Sequence, residues 1–165
     1  MRHTISVLVE NKFGVLARIS TLFAARGFNI DSLAVGETED PAISRMTIVV
    51  KGDDCILEQV TKQLNKLVDV IKVNEFNDIE YVERGNCLVK VSLSRSNRNE
   101  IMHMVEIFRS KIIDISQNFV IVEVTGSEDK ISAFIRKVMP YGIKEMCRTG
   151  VIALGRGHNI IKVSK

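Results

Sequence analysis

The sequence predicts an α+β protein built from two tandem β-α-β-β-α-β units. Three observations lead there. Short β-rich runs alternate with amphipathic stretches of helical period, the same element order occurs twice in 165 residues, and a charged stretch separates the two passes. A composition of 45% hydrophobic and 26% charged residues suits folded domains and does not suit disorder.

The first pass opens with a central-strand run, Ile5-Ser6-Val7-Leu8-Val9. From Gly14 to Gly27, the apolar residues Val15, Leu16, Ile19, Leu22 and Phe23 fall at helical spacing, and Gly27 is placed to stop the helix. A strand over 30–35, a turn through Glu37-Thr38-Glu39-Asp40-Pro41 and a strand over 44–51 follow. Asp53 or Asp54 then caps a helix with the stripe Ile56, Leu57, Val60, Leu64 and Leu67. A strand over 70–76 closes the unit, giving the split β-α-β, ferredoxin-like order. In so small a unit the open sheet face commonly needs a cover from another copy.

The second pass begins near Asn86, with a strand over 88–93. Asn97 and Glu100 form a predicted capping box for a helix with Ile101, Met104, Val105 and Phe108 inward. Residues 112–115 and 119–125 predict a hairpin, Ser127 a cap for a helix carrying Ile131, Phe134, Ile135 and Val138, and 142–153 a closing strand. The expected domains are 1–78 and 85–165, with the linker at 78–85.

Charge is uneven. Residues 1–80 hold 9 Lys+Arg against 12 Asp+Glu (−3), and 81–165 hold 14 against 8 (+6). Unlike surfaces of this kind favour protein contact, and the imbalance is too weak to argue for nucleic acid. RNA-recognition domains of this element order stack bases on strand aromatics. Here 44–51 displays Arg45, Thr47 and Val49 or Met46, Ile48 and Val50, with no aromatic on either face. Cys55, Cys87 and Cys147 are too scattered for a zinc site or a disulfide framework, so reduced thiols in a cytoplasmic protein are expected. The first ten residues are too short and too alternating for a signal peptide, and no run of about 20 apolar residues predicts a membrane span. His3, His103 and His158 are dispersed. Asp53-Asp54 and Glu39-Asp40 fall where capping and turn roles explain them, so no catalytic site is predicted.

One loop stands out, Asn11-Lys12-Phe13-Gly14-Val15-Leu16. A helix start presents unpaired N–H groups that suit a carboxylate, Gly14 lets a ligand approach the backbone, and Asn11 offers a donor and an acceptor. The alternative is that Asn11 caps the turn and Gly14 only supplies its dihedral angles.

The run E-N-K-F-G-V-L-A-R-I at 10–19 resembles the E-N-x-x-G-x-L-x-R-[IV] signature of ACT domains. R-G-F-N-I-D-S-L at 26–33, S-R-M-T-I-V at 44–49, Q-L-N-K-L-V-D-V at 63–70 and E-I-F-R-S-K-I-I-D-I at 106–115 are similar to segments of acetolactate synthase (acetohydroxyacid synthase) small subunits. The resemblance runs nearly end to end. It implies a first domain of ACT type and a chain without cofactors of its own. Catalysis would belong to a large subunit holding thiamine diphosphate, magnesium and FAD, which condenses pyruvate with pyruvate or 2-oxobutyrate. It also implies activation of that partner, feedback inhibition by valine or a related branched-chain amino acid, and a homodimer formed through the ACT domains. By motif, the effector would sit at the dimer interface between Asn11, Gly14, Val15 and Leu16 of one copy and Asn29 and Ile30 of the other. A free-standing amino-acid sensor is the alternative function.

Overall fold

The computed structural model describes residues 1–76 and 79–161. The first unit runs β1 (Arg2–Glu10), α1 (Val15–Ala25), β2 (Ile30–Glu37), β3 (Ile43–Lys51), α2 (Asp54–Leu64) and β4 (Val70–Glu75). Its sheet is antiparallel, in the order β2-β3-β1-β4. Alternation along the strands decides which face is core. Ile5, Val7 and Val9 of β1 face the helices beside Met46, Ile48 and Val50 of β3, and meet Val15, Ile19, Leu22 and Phe23 of α1 with Leu57, Val60 and Leu64 of α2. Of the expected α1 stripe, Leu16 departs: it is 44% exposed, because it sits at the helix start on the side away from the sheet.

The helix boundaries follow local chemistry. Gly27 adopts φ +68° and ends α1, and Phe28 N–H donates to the Phe23 carbonyl, so the chain turns back without a Cβ clash. Asp53 accepts a hydrogen bond from Ile56 N–H at 2.9 Å and caps α2.

The second unit comprises β5 (Tyr81–Ser92), α3 (Arg98–Ile107), β6 (Lys111–Ile115), β7 (Phe119–Gly126), α4 (Glu128–Val138), a single 3-10 turn (Met139–Tyr141) and β8 (Ile143–Arg148), with sheet order β6-β7-β5-β8. The core gathers Cys87, Val89 and Val91 of β5, Val120, Val122 and Val124 of β7, and Ile101, Val105, Ile131, Phe134 and Val138 of the helices. Phe108 meets Phe134 edge to face at 5.3 Å between ring centroids. Ser127 caps α4 through Lys130 N–H, as predicted. Ile112, Ile113 and Ile115 of the edge strand β6 are exposed.

Four expectations change. The stretch 78–85 is not a linker throughout: Asp78 lies outside the described residues, but β5 already begins at Tyr81, where Tyr81 and Val82 are both half-buried. The capping box does not form, because Asn97 Oδ1 accepts from Ser94 N–H while its Nδ2 donates to the Ser92 carbonyl, and the Glu100 carboxylate accepts from Tyr141 O–H at 2.7 Å instead. The closing strand over 142–153 is two strands, β8 and β9 (Ile152–Gly155), broken at Thr149-Gly150, where Thr149 N–H turns to the Asn86 carbonyl. The compact units are Glu83–Gly150 and Met1–Val82 together with the described residues from Val151 onward, so the last stretch packs with the first unit and not inside an 85–165 domain. There Ala153 and Ile161 join Leu8 and Phe76 on the outer face of the first sheet.

Two outcomes test this packing. Phe134→Ala removes the largest buried side chain of the second core and should destabilise it by about 3–5 kcal/mol in denaturant unfolding. Burial pushes the Cys87 thiol up, against a smaller opposing pull from Arg148, while Cys55 and Cys147 are exposed. Native chain at pH 8 should therefore react with a thiol reagent at two sites, the third appearing only on unfolding. The fold favours the neutral thiol, so its contribution to stability is present below the free thiol's range, near 8.5, and is lost as pH rises past it.

Candidate functional site

Glu10, the last residue of β1, donates its N–H to the Asp69 carbonyl at 2.9 Å, and Asn11 N–H donates to the Ala42 carbonyl at 2.7 Å. The chain then reverses within four residues to enter α1. Gly14 makes the reversal possible, lying at φ +83°, ψ −7° as the residue before the helix, a region that costs other residues strain. A Cβ built at Gly14 would meet nothing within 4 Å, so the backbone here is open to an approaching group.

The start of α1 is electrostatically unfilled. Among the described residues no side chain caps it and no acidic residue lies in its first turn, so beyond the Val15 N–H, which donates to the Lys12 carbonyl at 3.4 Å, the helix start and the positive end of its dipole face outward. The nearby cation Lys12 is already paired with Glu10 at 2.7 Å. Asn11 is held in place, its Nδ2 donating to Glu37 Oε1 at 3.1 Å and to the Pro41 carbonyl at 2.9 Å. Among the described residues its Oδ1 has no partner. Phe13 is fully exposed and Leu16 is partly so, which gives the mouth of the loop an apolar border.

The expected site residues divide into groups. Asn11, Gly14 and Leu16 share one surface. Val15 is 4% exposed and packs in the core, so its side chain lines no surface pocket and only its backbone N–H belongs to the loop. Ile30 packs half-buried against the core, and Asn29 is exposed, donating from Nδ2 to Asp31 Oδ1 at 3.3 Å. These two lie at the other end of the sheet. Ile30 pairs with Val50, whereas Glu37, the partner of Asn11, pairs with Ser44. Seven residues of strand separate the two ends, roughly 23 Å at 3.3 Å per residue. One chain therefore keeps the two halves of the expected site apart.

Glu37 and Pro41 read in the sequence as the ends of a turn, and their hold on Asn11 is added by the structure. Among the described residues no three His, Cys, Asp or Glu side chains are placed to hold a metal ion. An open groove of about 530 Å³ between α1 and α2, with Arg18, Arg26 and Lys66 around Leu22 and Leu67, contains no nucleophile paired with a base. No helix among the described residues is long and apolar enough to cross a membrane.

Comparison with known proteins adds the family. Residues 5–72 match the family described as AHAS small subunit-like ACT domain, and residues 84–157 match the family described as small subunit of acetolactate synthase. The chain is 56% identical to the probable acetolactate synthase small subunit of Archaeoglobus fulgidus, over 96% of this chain and 99% of that one. It is 49% identical to the acetolactate synthase small subunit of Mycolicibacterium smegmatis, over 99% and 96%. The crystal structure of the acetolactate synthase small subunit from Thermotoga maritima superposes with a TM-score of 0.87 at 45% identity, covering 96% of this chain and 99% of that one. With an ACT-type first unit whose helix start stands open, and with relatives matched along nearly their whole length, the chain belongs to the acetolactate synthase small-subunit family.

Proposed function

We propose that this chain is the regulatory subunit of an acetolactate synthase. It raises the activity of a separate catalytic large subunit and imposes feedback inhibition by valine or a related branched-chain amino acid. The observation that carries the reading is the uncapped, acid-free start of α1 at Gly14, flanked by the anchored amide of Asn11. An amino-acid zwitterion fits that chemistry. Its carboxylate would take the N–H groups of the first turn of α1, and amide oxygens such as Asn11 Oδ1 would accept from its ammonium without burying a further charge.

A second copy would complete the site. β2 is an edge strand, and antiparallel pairing of two β2 edges about an axis between Leu33 and Ala34 sets Ile30 of one copy opposite Glu37 of the other. Asn29 and Ile30 then arrive beside the second copy's Asn11. The roughly 23 Å that divides the halves within one chain thus favours a site shared across a homodimer. Leu16 and Ile30 would border the effector's apolar side chain. Valine and leucine differ by one methylene, worth about 1–3 kcal/mol, so selectivity between them is leaky. Thiamine diphosphate, magnesium and FAD belong in this reading to the large subunit, which performs the condensation.

Inhibition then requires only a coupling free energy. An effector that bridges two copies favours one arrangement of the pair, and about 1–3 kcal/mol of coupling changes affinity by roughly 5- to 150-fold.

The deciding assay mixes the chain with the thiamine-dependent large subunit and follows acetolactate with and without valine. Stimulation by the chain and its reversal by valine are expected; a large subunit indifferent to the chain would sink the proposal. Gly14→Asp places a carboxylate where the effector's own would sit, in a backbone conformation that Asp tolerates better than most residues. It should abolish valine inhibition and leave stimulation largely intact, and full valine sensitivity in this variant would mean the site lies elsewhere. Asn29→Ala should weaken valine binding by about 1–3 kcal/mol in calorimetry.

A further inference from the structure

Residues 151–161 lie over the outer face of the first sheet, with β9 against β1 and β3. Ala153 and Ile161 pack with Leu8 and Phe76, Ile43 and Tyr81 border them, β9 also pairs with β5, and Arg156 N–H donates to the Glu80 carbonyl at 2.8 Å. Two polar tethers secure the ends: Val151 N–H donates to Ser32 Oγ at 3.0 Å, and Arg45 Nη2 donates to the Ile161 carbonyl at 2.7 Å. On this same outer face, set by the strand register, stand Thr4, Ser6 and Asn74. Thr4 Oγ1, Ser6 Oγ and Asn74 Oδ1 are buried without a hydrogen-bond partner among the described residues. Each such group offsets part of the gain from apolar burial beneath this segment.

Both tethers start from strands that frame the effector site. Ser32 follows Ile30 by two residues on the edge strand β2. Arg45 pairs with Gly36, the neighbour of the Glu37 that holds Asn11. Any force that fixes β2 against a second copy also fixes the oxygen to which Val151 is tied.

We propose that residues 151–161 form a strap that tightens when the effector site is filled, carrying the state of that site to the opposite face of the ACT unit. This rests on the effector site proposed above. Because linkage is reciprocal, a tighter strap also favours effector binding, and the segment is a regulatory element as well as a cover.

Hydrogen exchange on the full chain, with and without saturating valine, tests it. Amides of 152–160 should exchange at least about fivefold more slowly with valine, as should those of 14–18. Ser32→Ala should abolish the slowing over 152–160 and preserve it over 14–18, whereas Ser32→Thr, which keeps the oxygen, should retain both. Protection at 14–18 with no change over 152–160, or slowing over 152–160 that survives Ser32→Ala, overturns the strap. If 14–18 gains no protection and calorimetry shows no binding heat, the effector site itself is wrong and the strap's coupling falls with it.

Discussion

The turn from β1 into α1 is the constraint on which the rest depends. β1 is the second strand from one edge of its sheet, hydrogen-bonded on both sides and buried over most of its length, so its end point is fixed. α1 must begin within four residues to lay Val15 and Ile19 on that sheet. Only a residue at ease in the left-handed region permits so sharp an entry, and a glycine there brings no side chain to satisfy the helix start. Core packing thus creates an unfilled cluster of N–H groups at the surface. The chemistry proposed for effector binding would be a by-product of how the fold must close.

Sheet register does the remaining division of labour. It anchors Asn11 to the far end of β2 through Glu37 and leaves Asn29 and Ile30 at the near end. In the proposed dimer the two ends of this edge strand would meet, since antiparallel strands exchange ends. The second unit repeats the topology with different surfaces. Its helix α3 has no capping side chain either, yet Asn97 is spent on the preceding turn and Glu100 lies in the first turn. The open position that Gly14 provides in the first unit therefore has no counterpart there.

Much of the fold was legible because period and burial coincide. The stripes Leu57-Val60-Leu64 and Ile131-Phe134-Ile135-Val138 read as helices and are buried as helices, and Gly27, Asp53 and Ser127 mark ends that local hydrogen bonds confirm. What failed depended on distant partners. Ile152 and Ala153 read as the continuation of a closing strand because nothing in their own sequence says which sheet they will cover. Glu100 is spaced for a capping box, but Tyr141, 41 residues away, takes it. At the candidate site, the turn of Asn11 and Gly14 was readable from the loop alone. The burial of Val15 and the separation of Ile30 required the register of β2 on β3, which no local pattern encodes.

The strap also sets an order of events during synthesis. Its tethers join residues 116 and 119 positions apart, whereas the second unit is assembled from the continuous stretch Glu83–Gly150. The downstream unit can therefore be finished while the upstream one still shows Leu8 and Phe76 to water, waiting for residue 161 to emerge. A chain halted between the two events would carry a complete second unit beside a first with its outer surface bare. Association with other half-made chains is the hazard of that interval.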